Sequence, residues 1–112
     1  MKLGLHTYSL NLHGIGQAWA GFTCPWPRQL STFQLFDLLV DLDLEGVHLD
    51  DGVLEHLDAG FLQEVGAAAW EAELYLVFNF SMVRGGFGIG MHLDLKAAIQ
   101  TAGHLGADIV KV

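Results

Sequence analysis

The chain has 112 residues, enough for one domain with its own core, and 52% of them are hydrophobic. Thirteen acidic residues against five basic ones give a formal net charge of -8, a surface that repels phosphate backbones and disfavours nucleic acid as a direct partner. No run reaches the roughly 18 apolar residues that span a bilayer, the N-terminus lacks the apolar core of a signal peptide, and the single cysteine, Cys24, excludes an intrachain disulfide. A cytoplasmic protein with no membrane contact is the expectation.

The first strand is predicted over about Lys2 to His6. Alternation places Gly4 and His6 on one face and Leu3 and Leu5 on the other, which helices should cover. A connection over residues 7–30 follows, far longer than the usual strand-to-helix loop of about 2–6 residues. It carries Trp19, Phe22, Cys24, Pro25, Trp26 and Pro27. Two readings fit it: a lid or substrate wall, or an apolar cover over one end of a sheet. Cys24 beside Pro25 reads as a small hydrophobe rather than a nucleophile.

Ser31 with Gln34 three residues later is a capping box, so a helix starts at Thr32. Phe33, Phe36, Leu39 and Val40 form its apolar stripe, Asp43 marks the acidic face, and Gly46 is expected to close it ahead of a strand over Gly46 to Asp50. There Val47 and Leu49 face one way, and Gly46, His48 and Asp50 the other. Asp51-Gly52 is a turn signal. A second helix over Asp58 to Ala72 aligns Phe61, Leu62, Val65, Ala68, Ala69 and Ala72, and leads into a strand over Leu74 to Asn79. The glycine-rich stretch 80–90 lacks the lysine and the spacing of a phosphate-binding loop and reads as a mobile loop. A third helix with Leu93, Leu95, Ala98, Ile99, Ala102 and Leu105 inward ends at Gly106, ahead of a strand over Asp108 to Val112.

Strands alternating with helices predict an α/β fold with a parallel sheet, here a (βα)3β unit spanning residues 1–112 as one domain. The hydrophobic content suits a sheet covered on both faces. Opposite the leucine-rich faces lie His6, His48, Asp50, Asn79 and Lys111, gathered toward the strand C-termini, where parallel α/β sheets bind ligands. Each alone reads as a hydrogen-bonded strand-end residue; together they read as a site. His6 or His48 can carry protons near neutral pH, Asp50 can accept hydrogen bonds from a substrate hydroxyl, and Tyr8 can stack on a sugar. His6, His48 and Asp50 are suitable ligand types for a divalent ion, but no short HxH or HxxxH spacing ties them together. His92 reads as a helix-end residue, and His13, His56 and His104 as exposed or structural.

Three stretches resemble the xylose isomerase-like barrels of the sugar phosphate isomerase/epimerase superfamily. They are Lys2-Leu3-Gly4-Leu5-His6-Thr7-Tyr8-Ser9-Leu10, Phe36-Asp37-Leu38-Leu39 with Leu44-Glu45-Gly46-Val47-His48-Leu49, and Ala102 to Val112. The resemblance implies a TIM barrel of about 250 residues, of which this chain supplies the N-terminal half. It also implies a divalent metal (Mn, Mg, Co or Zn) and aldose–ketose isomerisation or epimerisation through an enediolate. The implied metal ligands come from later strands, so none transfers to this sequence. The positions matching the substrate side are His6, Tyr8, Asp50, Asn79 and Lys111, and His48 stands where a glutamate is common. A half-barrel would be completed by a second copy, as a homodimer, or by a missing C-terminal half. The competing functions are a sugar or sugar phosphate isomerase/epimerase half that turns over little alone, and a non-catalytic carbohydrate-binding or assembly module. The abasic-site endonuclease branch of the same superfamily is disfavoured by the charge.

Overall fold

The computed structural model describes residues 2–7, 28–80 and 94–111. The elements run β1 (Gly4–His6), α1 (Thr32–Asp41), β2 (Gly46–Asp50), α2 (Ala59–Glu71), β3 (Tyr75–Asn79), α3 (Leu95–Leu105) and β4 (Ile109–Lys111). The four strands form one sheet in the order β1-β2-β3-β4, and every pairing is parallel. The predicted (βα)3β architecture is therefore present, with β2 at its predicted bounds and β1, β3 and β4 starting two, one and one residue later than the sequence pattern suggests.

All three helices contribute to a single core. Leu35, Phe36 and Leu39 of α1, Leu62, Val65 and Ala69 of α2, and Ala98, Ala102 and Leu105 of α3 join Val47, Leu49, Leu76 and Phe78 of the sheet. Among the described residues the helices pack on one face of the sheet: Tyr75, Val77 and Ile109, on the opposite face, take no part in that core. The reason is topological. Right-handed crossovers that always step in the same direction put every helix on the same side. The described core residues form one layer on that side.

The first two helices begin as the sequence predicts. The third, α3, runs from Leu95 with Asp94 as its N-cap, while His92 and Leu93, read as part of that helix, lie outside the described residues. Ser31 accepts from the Gln34 backbone N–H and the Gln34 side chain returns the bond, completing the capping box. Asp58 caps α2 and Asp94 caps α3 in the same way, each accepting from the backbone N–H three residues on.

Their ends correct it. The first helix stops at Asp41, and Gly46 lies inside β2 rather than closing the helix. What ends each helix is one repeated turn. Leu44, Leu74 and Ala107 each donate backwards to the carbonyl five residues earlier, and Asp43, Glu73 and Gly106 occupy the left-handed region with φ of 56°, 56° and 66°. This is the Schellman arrangement. Only the third copy uses the residue suited to it, so glycine searching finds one turn of the three. Stripe assignments also shift. Val40, Leu95 and Ile99, expected inward, are about half exposed, as is Leu3 on the predicted helix-covered face of β1.

Two expected outcomes follow from these contacts. Replacing Glu73 by glycine removes a left-handed side chain and is expected to raise unfolding stability by about 0.5–1 kcal/mol in a urea melt. Replacing Gly66 by alanine should do the reverse despite its better helix propensity, because a Cβ there runs into the Leu105 carbonyl where α2 crosses α3. A loss of about 1–3 kcal/mol is expected.

Candidate functional site

Register brings the candidate residues together in rows across the face opposite the helices. His6 sits beside His48, and His48 beside Val77. One step further toward the strand C-termini, Asp50, Asn79 and Lys111 stand side by side on three successive strands. Parallel strands in register force this, since partners across a ladder point to the same side. His6, His48, Asp50, Asn79 and Lys111 therefore converge as expected. Tyr8, most of the 7–30 connection and all but the first residue of the glycine-rich stretch 80–90 lie outside the described residues.

Asp50 is the fixed point of the arrangement. It is fully buried, and its two carboxylate oxygens are held separately. The Thr7 hydroxyl donates to Oδ2 at 3.0 Å and the Asn79 amide donates to Oδ1 at 2.5 Å. The backbone reinforces this: Asp51 N–H donates to the Asn79 carbonyl, and Val53 N–H to the Asp50 carbonyl, so the strand end turns directly into the next loop. Thr7 is itself fully buried. It escaped the sequence reading as the first residue of a long connection; its place one step past a strand that ends in His6 was the signal.

The two imidazoles are in edge contact, ring centroids 3.9 Å apart and planes inclined by 61°. His48 Nε2 is buried and has no hydrogen-bond partner among the described residues. Burial lowers the His48 pKa, His6 and Lys111 add to the effect through their positive charge, and Asp50 opposes it. The net direction is downward, which favours a neutral ring at physiological pH. A concavity of about 570 Å³ runs along this face, past Gly4, Gly46 and Tyr75 to the histidine pair. A second, of about 400 Å³, opens at the other end of the sheet beside Glu73, Gly106 and Asp108 and includes none of the candidate residues.

A rim cluster also escaped the sequence reading. Glu55, in the loop after β2, accepts from the Thr32 backbone N–H at 2.8 Å and its hydroxyl at 2.6 Å, and pairs with Arg28 at 3.1 Å. Arg28 in turn donates to the Val53 and Leu30 carbonyls. The carboxylate thus sits at the start of α1, where the helix dipole favours negative charge. No local motif announces it, because its members are 23 and 27 residues from Glu55.

Burial pushes the Glu55 carboxyl upward, but the Thr32 bonds and Arg28 outweigh it and hold the group below its ordinary value. A depressed folded-state pKa gives stability that is complete above the unfolded value of 4.5 and is lost as pH falls through the folded one. Glu55→Gln is expected to cost about 1–2 kcal/mol at pH 7 and to flatten the acid limb of the stability curve below about pH 4.5, as read by melts across a pH series.

Compared with family models, with curated proteins and with solved structures, the chain gives no match.

Proposed function

We propose that this chain is half of a (βα)8-type barrel. Closed by four further strands, its sheet face opposite the helices would bind a small hydroxylated substrate, a sugar or sugar phosphate, as a sugar isomerase or epimerase does. The observation that carries the reading is the row Asp50–Asn79–Lys111, set directly above His6 and His48, on the face that takes no part in the core. Asp50 and Asn79 supply hydrogen-bonding groups for hydroxyls. A histidine carries a proton between neighbouring carbons, and Lys111 offsets the negative charge of an enediolate or a phosphate. The resemblance assigns the catalytic metal to strands beyond these four, so the described elements alone should turn over little.

A second reading, a non-catalytic carbohydrate-binding or assembly module made by pairing two copies, draws on the edges. The large exposed apolar residues include Leu3 just before β1, Val40 on α1, and Leu95, Ile99, Ile109 and Val110 on α3 and β4. The flanked helix α2 exposes one such residue, Trp70. Apolar surface thus concentrates on the terminal units, where a closed barrel would bury it.

Adding an aldose or ketose is expected to shift amide NMR signals of Gly46–Asp50 and Tyr75–Asn79, and completion by a second copy is expected to double the particle mass in light scattering. Absence of shifts at those strand ends would sink the binding role. A monodisperse 12.2 kDa particle with a cooperative melt would sink pairing. Solvent-deuterium incorporation into the sugar separates the isomerase from the inert module.

A further inference from the structure

We propose that His6, His48 and Asp50 form a binding site for one divalent transition-metal ion, with Thr7 and Asn79 as the outer partners that fix its carboxylate. Each of the three offers a ligand atom, and these atoms all lie within 4.8 Å of one another. Tetrahedral ligation at about 2.0–2.2 Å separates donors by roughly 3.4 Å, so modest side-chain rotation on the fixed strands β1 and β2 brings them to an ion. It is the only such three-residue group among the described residues.

Two independent features point to a cation here. Among the described residues the buried Nε2 of His48 is a lone pair or a proton without a counterpart, and a polar atom left so in a buried setting is costly unless something satisfies it. Coordination would do so. The second feature is Asp50, whose oxygens each accept one hydrogen bond among the described residues, from Thr7 and from Asn79. A carboxylate oxygen has two lone pairs, so each keeps one free for an ion. Ligands braced by outer hydrogen bonds are how protein metal sites hold their geometry.

Two imidazoles and one carboxylate select Zn2+, Co2+, Fe2+ or Mn2+ over Mg2+ and Ca2+, which prefer all-oxygen shells. Three protein ligands leave coordination positions for water or a substrate oxygen, and the site lies on the sheet face opposite the helices. The inference extends the sugar-site reading to a metal held by this chain's own β1 and β2. It is tested without sugar, so either idea can fail while the other survives.

The experiment uses the full chain, stripped with a chelator and titrated with Co2+ by visible absorption and with Zn2+ by calorimetry. One ion per chain is expected, with Zn2+ displacing Co2+ and raising the melting temperature. His6→Gln and His48→Gln should each weaken binding at least about tenfold, and Asn79→Ala about 10–100-fold through its hold on Asp50. A chain with both His56 and His104 changed to alanine should bind unchanged. Circular dichroism checks folding; if His48→Gln unfolds, His6→Gln and Asn79→Ala still decide. No stoichiometric binding by the unaltered chain, or binding that survives loss of both His6 and His48, overturns the proposal.

Discussion

The handedness of the strand–helix–strand connection governs this structure. A right-handed crossover returns a parallel strand with its helix on a fixed side. When strands add in the order β1-β2-β3-β4, each helix lands on the side of the one before it. A sheet whose order reverses would place helices on both sides and open its ligand crevice at the reversal. This one has no reversal. Its second face must be covered by something other than these three helices, and that is where its polar residues stand.

Asp50 translates that constraint into chemistry. A fully buried carboxylate is costly unless hydrogen-bonded, and here the partners come from the two strands flanking β2: Thr7 past the end of β1, and Asn79 at the end of β3. The site is therefore not a decoration on a finished sheet. Its hydrogen bonds pin the C-terminal ends of three strands to one another, so the proposed site and the stability of the sheet share the same atoms. The Arg28–Glu55–Thr32 cluster does a related task at the rim, tying the loop after β2 to the start of α1.

Much of this was legible in the residues. Short aliphatic runs between amphipathic segments gave the element order, and strand alternation placed His6, His48, Asp50, Asn79 and Lys111 on a common face before any register was known. Capping signals mark the helix ends at Ser31 and Gly106, and Asp58, read as the first residue of the second helix, is its N-cap. The failures have physical causes. Periodicity marks every apolar residue near a stripe as inward, but it cannot tell that Leu95, Ile99 and Val40 belong to units flanked on one side only. The left-handed turns at Asp43 and Glu73 carry no glycine to reveal them. Thr7 and Glu55 matter through partners distant in sequence, which a local reading does not reach.

The three Schellman turns have a further meaning. Asp43, Glu73 and Gly106 share one backbone conformation and one hydrogen-bonding pattern, although their sequences share almost nothing. The molecule is a modular array in which each βα unit ends on the same bend and docks on its neighbour. In such quasi-one-dimensional stacks stability accrues from each unit and from its nearest-neighbour interfaces. Whole units can then be gained or lost at either end without rerouting the polypeptide, a route by which large closed architectures grow from small open ones.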